Sequence, residues 1–375
     1  MLQKLKSLLS TKSSVPGAII AMHTAGRPVW TSRNYPALAR EGFAGNVVGY
    51  RCVRMIAQAA ASIPLLTYID GKEAERHPVR SLLSSPNPGQ TGKELIENLV
   101  SFLMLAGNAY AELVTLDETP RELFALRPDR MAVVPSKTGW PEAFEYAVHG
   151  ASVRLPRENV LHLKLFNPLD DHYGLSPLEA ACRSIDTHNA AASWNKAMLD
   201  NAARPSGALV FAGTDSALTS EQFERLKSEL QSTYQGAANA GRPMILEGGL
   251  DWKEMGFSPK EMEFNEAKNA AAREIALAFG VPPMLLGIPG DNTFANFAEA
   301  NRSFWRQTIV PLASRLGDSL ALFLAPYADG ELGITPDLDQ VEALSFDRDA
   351  LWKRLNDSKF LTEAEKRAAV GYSNA

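Results

Sequence analysis

Two matching helix-start signals, 82 residues apart, constrain this chain more than any other feature. Ser176-Pro177-Leu178-Glu179 and Ser258-Pro259-Lys260-Glu261 both read Ser-Pro-x-Glu. The serine can accept from the amide three residues on, the glutamate can return a bond to the serine amide, and proline loses nothing at the first helical position. The Ala-rich stretch from Pro177 to about Ala203 contains no Gly or Pro, and Pro205 ends it. It predicts one unbroken helix of about 26 residues, a rod of about 40 Å. The second helix runs to Phe279, where Gly280 and Val281-Pro282-Pro283 stop it. Two long helices bracketing residues 206–257 predict a stalk that carries a small head.

The head reads as a compact α/β insert. Gly207 to Ala212 is a strand candidate. Thr219 and Gln222 cap a helix with apolar positions Phe223, Leu226 and Leu230, ended by Gly236. Met244–Glu247 and Leu250–Met255 flank Gly248-Gly249, a two-residue hairpin turn.

Before the stalk the pattern is mixed α+β. Residues 10–40 lack periodicity and read as a loop or partly disordered arm. Val47, Val48, Cys52, Met55, Ile56, Ala59, Ala60 and Ile63 keep a helical period that Pro64 stops. Leu65–Ile69 reads as a strand ending at Asp70-Gly71. Thr91 and Glu94 form a capping box for a helix that Gly107 closes. Strand candidates follow at Ala109–Leu116, Arg130–Val134, Phe144–Val148 and Val160–Phe166. After the stalk comes a loop from Gly287 to Asn296. Phe297, Phe304, Thr308, Leu312, Leu316, Leu320 and Phe323 then predict a long helix kinked at Pro311. Thr362 and Glu365 box a last short helix closed by Gly371.

The chemistry the sequence offers is thin. Pro88 to Glu94 resembles a phosphate loop but lacks its spacing, and no dinucleotide-type glycine motif is present. Cys52 and Cys182 form no zinc or disulfide framework, so a reducing compartment is the default. Asp170, Asp171 and His172 could hold a metal or do acid–base work, and fit a polar turn equally well. His162, between Leu161 and Leu163, reads as a structural partner. Trp252 and Trp305 could stack on bases, but read more simply as a cross-strand residue and a helix-flanking residue. Residue inventory alone supports no enzyme. The first ten residues lack the apolar stretch of a signal peptide. The longest apolar run, Leu99 to Ala106, is too short to cross a bilayer. The 375 residues carry a formal charge of -5, which argues against gripping nucleic acid mainly by charge.

Several strings carry a family resemblance. They are Ser85-Pro86-Asn87-Pro88, Ala106-Gly107-Asn108-Ala109-Tyr110, Gly174-Leu175-Ser176-Pro177-Leu178, and Gly241-Arg242-Pro243 with Leu246-Glu247-Gly248-Gly249. Ile275-Ala276 with Phe279-Gly280-Val281-Pro282-Pro283 and Leu286-Gly287 follow, then Thr308 with Pro311, and Leu361-Thr362 with Glu365 and Arg367. In this order and spacing, from about residue 47 to 371, they resemble the portal proteins of tailed bacteriophages. The type is the one with Hong Kong 97-like heads, including the phage-derived particles called gene transfer agents. Ala364 departs from the family, which often has Asn before the last Glu.

The resemblance implies the portal-protein fold, an α+β architecture of wing, helical stem, small α/β clip, tunnel loop and short crown. It divides the chain into an arm (1–40), wing (41–175), stem helix (176–204), clip (205–257) and stem helix (258–280). A tunnel loop (281–297), a kinked helix with the rest of the wing (298–346) and a crown (347–375) complete it. It implies a ring, usually of twelve copies, at one capsid vertex, through which double-stranded DNA passes during packaging and ejection. Its partners would be further copies of itself, the terminase large subunit, a head-completion or adaptor protein and the major capsid protein, with no membrane. The ring would seed capsid assembly in the host bacterial cytoplasm and remain in the virion. No cofactor, metal or catalytic residue is implied. Gly290, Asp291, Asn292, Thr293 and Asn296 are the candidates for facing DNA. Thr214, Asp215, Glu247, Asp251, Trp252 and Lys253 are the candidates for docking the motor or adaptor. Two other classes stand beside this one. They are a nucleic-acid-binding module of another type, and a metal-dependent hydrolase centred on Asp170, Asp171 and His172.

Overall fold

The computed structural model describes residues 29–74, 76–200, 207–211, 221, 224–225, 228, 250–254, 264–289 and 294–370. Contacts divide the chain after Trp30, and the unit from Thr31 onward is described here. It opens earlier than the expected arm allows. The Thr31 amide and hydroxyl both donate to the Asp186 carboxylate. Asn34 caps helix α1 (Tyr35–Leu38), which runs into a π-helical turn, Ala39–Ala44. The arm therefore does not extend to residue 40: Asn34 and Pro36 supply a helix start that the apolar pattern, too short to show a period, conceals.

Asn46 caps α2 (Val47–Ser62) by accepting from Val48 and Gly49 amides at 3.1 and 2.9 Å. Its buried face is Gly49, Cys52, Val53, Ile56, Ala57, Ala60 and Ala61. Strand β1 (Leu65–Ile69) turns at Asp70-Gly71, both at positive φ, into β2 (Lys72–Glu73). Helix α3 (Pro78–Ser84) is capped by His77. Helix α4 (Gly92–Ala106) carries the predicted Thr91–Glu94 box and ends on left-handed Gly107.

Strand β3 (Asn108–Leu116) pairs with β4 (Thr119–Leu126) through a turn at Asp117-Glu118, both at positive φ. β4 is absent from the sequence expectations because its turn contains no glycine and Pro120 sits at its start. Next come β5 (Met131–Pro135), β6 (Pro141–Val148), β7 (Ala151–Pro156) and β8 (Val160–Lys164). β5, β6 and β7 form an antiparallel meander, while β8 pairs with β3 in the order β4-β3-β8.

The first stalk helix is not one rod. Helix α5 (Pro177–Ala180) stops at Ala181, where ψ is 0°, and α6 (Cys182–Asp200) follows. Leu178 is clamped in the core against Gly42, where an added Cβ would stand 2.8 Å from Leu178 Cδ1. The first turn is thus held by its cap and by the core, while α6 follows its partner helix. Strands β9 (Gly207–Phe211) and β10 (Leu250–Glu254) pair antiparallel, Trp252 opposite Leu209. Within the expected helix from Thr219 to Gly236, the described residues Glu221, Glu224, Arg225 and Ser228 are helical. The rest of that helix, the expected hairpin turn at Gly248-Gly249 and the Ser258 box lie outside the described residues.

Helix α7 (Phe264–Ala278) packs along α6 and reaches α2. Helix α8 (Phe294–Phe304), a π turn (Trp305–Ile309) and α9 (Val310–Leu324) form the long helix. It begins at Phe294, inside the expected 281–297 loop. The π turn ends just before Pro311, where the kink is expected. The expected stripe is also shifted: beyond Phe304 the buried line is Ile309, Ala313, Leu316, Leu320 and Leu324. Phe304 and Ile309 stand five apart, the spacing of an i→i+5 turn. By length and composition Asn296–Tyr327 is apolar enough to cross a membrane. Its buried line faces the core, however, and Arg302, Arg306, Arg315 and Asp318 lie along it.

Strand β11 (Leu332–Pro336) pairs with β1, giving the order β11-β1-β2. At Gly317 an added Cβ would lie 2.4 Å from the Ile334 carbonyl oxygen, so α9 crosses β11 nearly backbone to backbone. Helices α10 (Ser345–Asp357) and α11 (Glu363–Ala369), the latter with its Thr362–Glu365 box, bury no residue. Gly371 lies outside the described residues. The main core joins α2, α4, β3, β8, α5, α6, α7, α9 and β11; a second core holds Tyr110, Leu126, Met131, Phe144, Leu155 and Val160.

Candidate channel helices and their junction

The paired helices α6 and α7 are the element most distinctive of this fold. Small side chains meet where they pack: Ala191, Ala271, Ala272 and Ala276 are buried, with Ile185, Ile275 and Phe279. Ala190 and Ala197 of the same Ala-rich stretch are exposed. Ser184 donates to Glu274 across the pair at 2.6 Å.

A buried polar knot anchors the pair to the body. Asn46 Nδ2 donates to Asn189 Oδ1 at 2.9 Å and lies 3.2 Å from His188 Nδ1. Asn189 Nδ2 donates to the Glu41 carbonyl at 3.0 Å. An acceptor role at His188 Nδ1 requires the neutral ring with its proton on Nε2. Burial first, then the positive charge of Lys268, holds the His188 pKa below its ordinary value. Both effects favour the neutral ring that the knot uses.

The open faces carry both signs. On α6 Arg183, Thr187, Ser193, Lys196 and Asp200 are exposed; on α7 Glu266, Asn269, Arg273, Glu274 and Leu277 are exposed. Lys196 is paired with Asp200 four residues on. No continuous basic stripe runs along the described residues of either helix.

The end of α7 is built to turn sharply. The Gly280 amide donates to Leu277 and the Val281 amide to Ala276, with Gly280 at φ 66°. This is the paired-bond left-handed helix stop. Pro282 and Pro283 then lead a short 3-10 turn, Pro283–Leu286, ended by Gly287 at φ 72°. Arg273 on α7 donates to the Pro289 carbonyl.

The expected DNA-facing residues are only partly in view. Asn296 is exposed in the first turns of α8; Gly290, Asp291, Asn292 and Thr293 lie outside the described residues. Of the expected docking residues, Asp251, Trp252 and Lys253 share β10. Thr214, Asp215 and Glu247 lie outside the described residues.

The acid–base alternative loses its geometry. Asp170 Oδ1 accepts from the His172 and Tyr173 amides at 2.7 and 3.0 Å, which lowers its pKa, and the Asp171 carbonyl accepts from Lys164. The Val133 amide donates to the Tyr173 hydroxyl at 2.9 Å, so the segment is a turn pinned to the meander. Among the described residues no group of three His, Cys, Asp or Glu is placed to hold a metal. His162 stacks on Tyr110 with centroids 4.3 Å apart and bonds Asn108 at 3.0 Å; burial lowers its pKa to about 4. Cys52 and Cys182 are free and buried, and burial pushes the Cys52 thiol up to about 12. The polar knot and the π turn carried no expectation from sequence. The five-residue gap from Phe304 to Ile309 was the one legible trace of the second.

The family described as phage portal protein matches residues 48–371. The chain belongs to that family, whose members are structural channel proteins rather than enzymes. The portal protein of Enterobacteria phage HK97 is 28% identical over 330 residues, covering 85% of this chain and 76% of that one. Among solved structures, the neck of an empty GTA particle computed with C6 symmetry matches with a TM-score of 0.74 and 53% identity. That match covers 96% of this chain and 100% of the other. The neck of a native GTA particle computed with C12 symmetry matches with a TM-score of 0.71 and 52% identity, covering 94% and 97%.

Proposed function

We propose that this chain is one subunit of a portal ring at a unique vertex of a phage or gene-transfer-agent particle. The observation that carries this is the match to GTA neck structures, computed with C6 and C12 symmetry, over nearly the whole chain. Identical copies that meet through two different faces close into a ring, and twelve is the number this reading takes. Helices α6 and α7, with the head at 205–257, form the stem and clip. The body from α1 to β8, together with α9 and β11, forms the wing, and α10 with α11 the crown.

In this reading DNA slides through the ring while it is packed and released. The clip docks the terminase large subunit and later the adaptor, with Thr214, Asp215, Glu247, Asp251, Trp252 and Lys253 as the contact residues. The wing meets the major capsid protein, and the ring seeds shell assembly. Electrostatics favour transit over retention. Twelve chains at -5 carry a formal charge of about -60, and the α6 and α7 faces alternate sign instead of presenting cations. Gly290 to Thr293 and Asn296 approach the DNA.

Negative-stain imaging and native mass measurement over a range of concentrations test the ring. Rings near twelve subunits are the expected result; a monomer at every concentration refutes the reading. Deleting Gly290 to Thr293 should leave ring formation intact and lower DNA packaging or retention in particles. Unchanged packaging removes these residues from the DNA path.

A further inference from the structure

One side-chain hydrogen bond joins the end of α7 to the π turn of the long helix. Thr308 Oγ1 donates to the Gly280 carbonyl at 2.7 Å. That carbonyl stands at a helix C-terminus, where no intrahelical amide is available to it. Gly280 leaves room for the contact: a Cβ there would stand 2.9 Å from Thr308 Oγ1, and the left-handed backbone already favours glycine. The donor is held as firmly as the acceptor. Thr308 lies inside the π turn whose flanks, Phe304 and Ile309, are both buried. Pro311 has no amide to return to Gln307, which disfavours regular α-helix across the same stretch.

Downstream of Gly280 the chain has little freedom. Pro282 and Pro283 fix two φ angles. Leu285 donates to Pro282, Gly287 to Met284 and Ile288 to Pro283. Residues 281–288 are therefore a stiff bracket, attached to the long helix through Gly280, the residue just before it.

We infer that Thr308 is a positioning residue: its hydroxyl fixes the direction in which the 281–288 bracket leaves α7. The functional meaning, a set path for the chain entering the channel, rests on the portal reading above; the clamp itself does not. The π turn gives the helix the spacing that keeps Phe304 and Ile309 in the core with Thr308 between them.

Hydrogen exchange read by mass spectrometry on the full-length protein tests this, in whatever assembly state the wild type adopts. In Thr308→Val the amides of Val281, Leu285, Gly287 and Ile288 should exchange about five- to tenfold faster. Thr308→Ser, which keeps the hydroxyl, should restore the wild-type rates. Strands β3 and β8 should be unaffected in both. Thr308→Ala repeats the test if the valine variant does not fold. Unchanged exchange at 281–288, a rise spread equally over β3 and β8, or failure of Thr308→Ser to rescue overturns the assignment. A wild type that never forms rings would remove the portal reading and leave this comparison intact.

Discussion

Gly49→Ala should damage this fold more than any other single-methyl change on α2. A Cβ at Gly49 would stand 2.1 Å from the Gly42 carbonyl oxygen and 3.3 Å from the Gly42 carbonyl carbon. An ordinary contact needs well over 3 Å, so the two backbones must separate by more than about 1 Å. The π turn holding Gly42 cannot retreat, because Leu178 presses on its other side and an added atom there already meets Cδ1 at 2.8 Å. Helix propensity pulls the other way, since alanine is favoured over glycine by about 1 kcal/mol inside a helix. Forced overpacking costs about 1–3 kcal/mol and more against backbone than against a movable side chain. The net expectation, with the cost at the upper part of that range because the contact is with backbone, is a loss of about 1–2 kcal/mol. Urea unfolding followed by circular dichroism reads it, with Gly89→Ala as the control. Gly89 is not left-handed and its nearest neighbour lies 3.7 Å away, so that change should stay within about 0.5 kcal/mol. Equal midpoints for the two variants would refute the close-crossing argument.

Two other perturbations have definite signs. His188 has its pKa lowered in the folded state, so the stability tied to its neutral ring is present above the unfolded value of about 6.5. That stability is lost as pH falls through the window below 6.5. Unfolding free energy should therefore drop between about pH 7 and pH 5, and His188→Asn should flatten that slope by up to about 1.4 kcal/mol per pH unit; an unchanged slope in denaturant titrations contradicts the knot. Leu320 is fully buried in α9 against the main core, so Leu320→Ala should cost about 2–5 kcal/mol in the same unfolding assay, and a cost under about 1 kcal/mol would place it outside the core.

Local chemistry was legible in the sequence, and long-range geometry was not. The Thr91 and Thr362 boxes and the Gly107 and Gly280 stops declare themselves because each satisfies orphan groups within a few residues. β11 could not be assigned to β1 from sequence, because 262 residues separate Ile69 from Leu332 and pairing leaves no local mark. β4 hid behind a turn made by Asp117 and Glu118, two residues that rarely take positive φ together. The break at Ala181 is equally silent, since alanine is the best helix former and only the clamp on Leu178 interrupts it. At the candidate site the stop after α7 was visible in Gly280-Val281-Pro282-Pro283. Its bond to Thr308 spans 28 residues and depends on a helix that is not α throughout.

The π turn also bears on how chains of this type can differ in length. Removing one residue between Phe304 and Ile309 would leave the two four apart, an ordinary α spacing, with both still turned to the core. The helix would lose its wide turn and keep its buried line from Ile309 to Leu324. Residues 305–308 are thus a stretch of the long helix where a lineage could shed a residue without rewriting the core. Elsewhere along α9 the same event would rotate every later side chain by about 100° and bring a bulkier residue onto the Gly317 crossing of β11.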